Sequence, residues 1–189
     1  MIINNEEQLE ELKEKMYLSA EKAQERILHA AEQSSSNNLV PASMALLFSM
    51  KFEKTGVDPL NGTDMNIVEQ INQLFSNLVV MEAASDLLKL FPGKSFKLHL
   101  GTESGFDIES VNDESDVTPR IVCECFAVTT AASNGKLKKD TEKLVSKAPD
   151  KKKYMYFYSH NDKEETLMRF YQKYPDITFK RIHTLLPKF

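Results

Sequence analysis

Glycine and cysteine are scarce in this chain: 189 residues hold six of the first and two of the second. With so few glycines no glycine-rich loop is available to cradle a phosphate, so the P-loop and dinucleotide-binding classes drop out. The cysteines, Cys123 and Cys125, flank Glu124 in an apolar run. As neighbours on one strand face their Cα atoms stand about 6.5 to 7 Å apart, the upper limit for a disulfide. They do not make a zinc pattern either, since paired zinc cysteines are spaced more widely on a turn and a second pair is missing. A nucleophilic cysteine with His160 as base is conceivable, but mid-strand cysteines are usually inert core. A reduced, cytoplasmic chain is the simpler expectation. No apolar run approaches the roughly 18 residues of a membrane span, and the segment Asn4 to Glu14 is polar and acidic, so neither a span nor an export leader is expected. An excess of positive charge is absent too. The net charge of −4 argues against a protein that coats nucleic acid by bulk charge, while leaving room for local basic patches.

What is present is enough apolar material for a full core, 41% of residues. The pattern predicts an N-terminal helical extension over 1–62, used for packing or dimerisation, and an α/β core over 63–189. Residues Glu6 to Gln33, without Gly or Pro, predict a long helix with a narrow stripe from Leu9 to Ala31. Ser34 to Asn38 then form a linker. A second helix starts near Pro41 and reaches Lys54, and Gly56 to Gly62 make a turn. Thr63 or Asp64 is the expected N-cap of a third helix, which Phe91-Pro92-Gly93 stops. Its stripe of Ile67, Ile71, Leu74, Phe75 and Leu78 is continued by Glu82, a carboxylate that burial would oblige to find a partner.

Three strands follow, over Ser95–Leu100, Gly105–Val111 and Arg120–Val128, each bounded by turn residues. If the second connection is a symmetric hairpin, positions summing to 231 oppose each other and Asp107 faces Glu124. A symmetric first turn likewise sets His99 opposite Asp107. In the third strand Val122, Glu124, Phe126 and Val128 share one face, with Ile121, Cys123, Cys125 and Ala127 on the other. Both faces are mostly apolar, as in a central strand covered on two sides, which makes a glutamate there informative. Ser133 or Asn134 caps a lysine-rich helix, Tyr154–Ser159 is an aromatic strand, Glu164 to Tyr174 an amphipathic helix and Ile177–Leu185 a last strand. The strands before and after the lysine-rich helix should run parallel.

From Asp64 to Leu185 the chain resembles the PD-(D/E)XK nuclease superfamily, which includes many restriction endonucleases. The resemblance is carried by the element order, by Gly105-Phe106-Asp107-Ile108, by Val122-Cys123-Glu124-Cys125-Phe126-Ala127 and by the basic helix from Lys136. It implies a restriction-endonuclease-like three-layer core and an activity on double-stranded DNA with Mg²⁺. Asp107 and Glu124 would be metal ligands, the Cys125 main-chain carbonyl a further one, and Glu82 the helix carboxylate. Two positions depart from the pattern: Phe106 replaces a proline, and Phe126 stands where a lysine would help place the attacking water. Lys136 or Lys139, from the following helix, are candidates to supply that charge. Lys138, Lys143, Lys151, Lys152, Lys153 and the pair Lys180-Arg181 are candidate phosphate contacts; the helix lysines read equally well as a solvated face.

The expected function is therefore Mg²⁺-dependent DNA endonuclease activity. A nuclease-fold module without catalysis, binding DNA or a protein partner, is the alternative that Phe126 favours. A metal-dependent hydrolase of another substrate is the third. A homodimer or a heteromeric partner subunit is compatible with each.

Overall fold

The computed structural model describes residues 1–35, 41–101, 104–111, 119–131 and 135–185. The elements are β1 (Ile2–Ile3), α1 (Glu6–Ser35), α2 (Ala42–Phe52), β2 (Gly56–Val57), β3 (Asp64–Met65), α3 (Ile67–Leu90), β4 (Ser95–Leu98), β5 (Ile108–Val111), β6 (Ile121–Val128), α4 (Lys136–Lys147), β7 (Lys152–Ser159), α5 (Glu164–Tyr171) and β8 (Ile177–Ile182). This is a mixed α/β fold.

Six strands form one sheet in the order β1-β4-β5-β6-β7-β8. Strands β4, β5 and β6 run antiparallel, whereas α4 and α5 carry the chain back so that β6, β7 and β8 run parallel. The β5–β6 ladder pairs Ile108 with Cys123 and Glu109 with Val122, the register in which opposing positions sum to 231. His99 N–H donates to the Asp107 carbonyl at 2.9 Å, so that pair also stands as the symmetric turn requires.

β6 is buried on both faces. One face, through Val122 and Phe126, joins Leu137, Leu144 and Ala148 at α4, Leu167 of α5, and Met155 and Phe157 of β7 in a single apolar cluster. The rings of Phe126 and Phe157 stack at 5.4 Å between centroids. On the reverse face Tyr156, paired with Cys125, donates its hydroxyl to Asp86 of α3. The sheet thus lies between α3 on one side and α4 with α5 on the other.

Several local expectations need correction. Asp64 and Met65 pair with Val57 and Gly56 as a small hairpin, so α3 starts only at Ile67 and neither Thr63 nor Asp64 caps it. The cap is Asn66: its Oδ1 accepts from Glu69 N–H at 2.8 Å, and its own N–H reaches back to Glu69 Oε2 at 3.3 Å. The residue at the N-cap of α4 is Gly135, at φ +64°, where a side chain would be strained; Ser133 and Asn134 lie outside the described residues, as does most of the 34–38 linker. Strand β1 has no counterpart in the sequence-based expectation.

Two compact units result, one of residues 1–10 with 76–189 and one of residues 11–75. Residues 1–10 fall with the first unit because β1 pairs with β4 and the Met1 ammonium donates to Leu98 O at 2.9 Å. Within the second unit, buried Gln70 donates to the Ser19 carbonyl and hydroxyl at 3.2 and 2.9 Å and accepts from Val57 N–H at 3.3 Å, joining three elements through one amide. Among the described residues no helix is long and apolar enough to cross a membrane.

Phe157, fully buried and stacked on Phe126, is the aromatic centre of the cluster over α4 and α5. Phe157→Ala is expected to lower the unfolding free energy by about 3 to 5 kcal/mol in urea titrations; a loss under about 1 kcal/mol would mean the cluster is not a packed core.

Candidate active site

Glu124 is held in the middle of β6 on the face that packs against α4, and its side chain is 2% exposed. Asp107 sits one residue before β5 begins, where the ladder with β6 has just stopped. Its Oδ2 accepts the N–H of Cys125 at 2.6 Å, taking the place of a main-chain acceptor that a longer β5 would provide. In an extended strand the carbonyl of a residue leaves on the same side as its N–H, so Cys125 O is turned toward Asp107. Asp107 is close enough to Glu124 for its charge to raise the cost of ionising Glu124.

Helix α4 brings the counter-charge. At 100° per residue Lys136, Asp140 and Lys143 fall within about 60° of one another, at the edge of the stripe that Leu137 and Leu144 bury. Lys143 Nζ lies 2.5 Å from Glu124 Oε1 and donates to the Gly105 carbonyl at 2.6 Å. Lys136 Nζ is 2.9 Å from Asp140 Oδ2, and Asp140 is itself buried. The Phe106 ring lies 5.3 Å from both the Lys143 and the Lys151 ammonium, within cation–π range.

The loop bearing Asp107 is fixed from behind. Glu109 Oε1 accepts from Phe106 N–H at 3.3 Å and stands 3.6 Å from His99 Nε2. Both side chains close over Gly105, at φ +128°, where an added Cβ would meet Glu109 Oε1 at 3.0 Å and His99 Cε1 at 3.3 Å. Glycine there allows the carbonyl to turn to Lys143.

Burial and then the Asp107 charge push the Glu124 carboxyl up to about 8, against the opposing attraction of Lys143. Burial raises Asp107 as well, opposed by the Cys125 N–H, Lys143 and Lys136. Two carboxyls that ionise reluctantly beside one another form a place where added positive charge is strongly favoured. The donors are all oxygen, which suits Mg²⁺: that ion takes one or two carboxylates, keeps several waters and leaves room for substrate. Among the described residues no group of three or more His, Cys, Asp or Glu side chains is placed to hold a metal, so a site here is a two-carboxylate one.

Comparison with protein-family models, curated proteins and solved structures returned no match. The chemistry of the chain therefore rests on its own geometry.

The other expected site residues are dispersed. Glu82 is one turn before Asp86 on α3, the helix that meets the Tyr156 face of the sheet, whereas Glu124 looks out on the opposite face. Lys139 is exposed, and exposed Lys138 pairs with Glu142 at 3.8 Å. Exposed Lys152 lies over the Phe91 ring at 5.3 Å. Lys153 is interior: its ammonium donates to the carbonyls of Ala148, Pro149 and Lys151 at 3.2, 3.2 and 3.3 Å, closing the turn after α4, and it is no phosphate contact. Phe126, in the position of the missing lysine, is buried against Phe157.

Lys143 and Asp140 are the residues whose roles the sequence did not disclose. Their signal was the spacing of Lys136, Asp140 and Lys143 at four and three residues, which puts one acid and two bases on one helix edge.

The sign of the pH dependence follows from the raised carboxyls. Unfolded glutamate loses its proton near the ordinary value of 4.5, folded Glu124 near 8, so between those values the folded state binds more protons and loses stability as pH rises. In chelator the melting temperature is expected to fall across this window, more gently in Glu124→Gln, and Mg²⁺ should restore it at the alkaline end. A wild-type profile that stays flat or climbs from pH 5 to 8 would refute the assignment.

Proposed function

We propose that this chain is a Mg²⁺-dependent endonuclease of restriction-endonuclease-like fold that hydrolyses phosphodiester bonds of double-stranded DNA, acting in the cytoplasm. The observation that carries the proposal is the convergence of half-buried Asp107 and buried Glu124 with the Lys143 ammonium where β5 and β6 part. The antiparallel β4-β5-β6 meander, the α4 crossover and the parallel β7 follow the order that the resemblance to the PD-(D/E)XK superfamily implies. Free buried Cys123 and Cys125, with Sγ atoms 3.5 Å apart, suit a reducing compartment.

On this reading Asp107, Glu124 and the Cys125 carbonyl hold the ion. A bound Mg²⁺ would stabilise charge on the phosphoryl oxygens and make an attacking water more acidic. Lys143 takes the part of the missing strand lysine: from α4 its ammonium reaches Glu124, and it can place a water beside the reacting phosphate or oppose charge developing there. Phe106 and the Gly105 carbonyl orient that ammonium. Asp140 holds Lys136 at the same edge, a second cation toward the scissile phosphate. Exposed Lys138, Lys139 and Lys152 are left for sequence-independent phosphate contacts.

A second reading has its own observation. Phe126 fills the lysine position with core, and Lys143 is already engaged with Glu124, as suits a nuclease-fold module that binds DNA or a protein without cutting.

Plasmid cleavage in Mg²⁺ or Mn²⁺ separates the two. Cutting by wild type is expected to fall at least about 100-fold in Asp107→Ala, Glu124→Ala and Lys143→Ala, with DNA affinity changed by less than about threefold in the last. Phe126→Lys, which rebuilds the motif formally, should unfold the core rather than speed cutting, because it buries a charge among aromatic rings. Salt-sensitive binding without cleavage would favour the module, and cutting unchanged in both carboxylate variants would remove the enzyme.

A further inference from the structure

Helix α1 sorts its charges by face. At 100° per residue Lys15, Lys22 and Arg26 fall within about 40° of one another, beside the buried stripe of Met16, Ser19 and Ala23. Glu14, Glu21, Glu25 and Glu32 make a second row about 100° away, farther toward solvent. The basic row is the one that the turn over residues 58–62 walls in. Together they enclose a cavity of about 460 Å³, which lies wholly within the unit of residues 11–75 and has the size of a small-ligand pocket. We propose that this cavity binds a small molecule carrying two or more phosphate-type negative charges. The charges meet Lys15, Lys22 and Arg26, and an apolar or ring portion lies against Leu18, Pro59 and Leu60. The inference does not depend on the nuclease reading.

Three features point to such a ligand. The cations are unspent: among the described residues no acidic oxygen stands in ion-pair range of Lys15, Lys22 or Arg26. Asp58 is the one acid lining the cavity, and its Oδ1 already accepts the N–H groups of Leu60 and Asn61 at 2.8 and 3.0 Å, which shapes the turn. Three cations against one carboxylate leave an excess of two positive charges in a recess, where the field is focused, on a chain whose net charge is −4. The walls, secondly, are fixed in advance. Buried Gln70 donates to Ser19 of α1 and accepts from Val57 N–H, and the same Oε1 accepts from Arg26 Nη1 at 3.4 Å. That contact orients the guanidinium and leaves its other N–H groups for a phosphate, so little freedom is lost on binding. Finally, the flanking row of glutamates disfavours an extended nucleic-acid backbone, whose further phosphates would run over like charge, while a ligand confined to the recess avoids them.

Isothermal titration calorimetry of the full chain in chelator at low salt, with ADP as the probe, is expected to show one site per chain. Pyrophosphate should compete for it and adenosine should not. Lys22 is exposed, so Lys22→Glu should keep the fold, as circular dichroism can check, and weaken ADP at least about 10-fold through loss of a charge-assisted contact. Adding Lys15→Glu should remove binding. No binding of ADP or pyrophosphate at about 1 mM, far above the range of a specific site, would overturn the proposal. So would affinity indifferent to Lys22→Glu, adenosine binding as tightly as ADP, or a short DNA duplex held through Lys22 more tightly than ADP.

Discussion

The arrangement of this molecule around β6 turns on one contact, Lys143 with Glu124, across the seam between α4 and the sheet, which offsets only part of the cost of burying that carboxyl. A carboxylate in the middle of a strand covered on both faces is costly unless a cation meets it. Helix α4 meets that need only if it lies across the Glu124 face in one rotation about its axis. Leu137 and Leu144 set that rotation by filling the apolar cluster, and Lys143 follows one position before Leu144. Packing and electrostatics thus reinforce each other. The same rotation brings Asp140 and Lys136 alongside, so the helix presents an alternating row of charge rather than a uniformly basic face.

The seam also accounts for where β5 ends. Had the ladder continued, a main-chain acceptor would have met Cys125 N–H and the Asp107 side chain would have been free to point elsewhere. With Asp107 itself accepting that N–H, the carboxylate is pinned beside Glu124, and the loop before it is held by Glu109, His99 and the bare α-carbon of Gly105. Two acids are thereby kept near each other in a poorly solvated place, where burial raises both.

Much of this was legible beforehand, and the reasons are local. Turn residues on either side of three short β-rich runs set the meander, and hairpin symmetry alone gave the register that opposes Asp107 to Glu124. The alternation in Ile121–Val128 told that β6 is covered on both sides. The lysines were harder. Lys136, Lys138, Lys139, Lys143, Lys151, Lys152 and Lys153 are chemically equivalent in a sequence, yet Lys153 caps carbonyls in the interior, Lys143 binds Glu124 and Lys139 is exposed. A long flexible side chain takes its role from what lies within reach of its end, and helical spacing narrows that only to a face.

By itself, then, the sequence determined the mixed sheet, the order of its central elements and the opposition of two acids across a hairpin, because each follows from turn chemistry and periodicity over a few neighbouring residues. Tertiary structure alone decided that Lys143 is the cation that meets Glu124, that the helix carrying Glu82 contacts the Tyr156 face of the sheet, that Ile2–Ile3 pairs with β4, and that α2 buries none of its residues. Those outcomes depend on which distant segments share a face, and no local pattern encodes the rotation of a helix or the partner of a two-residue strand.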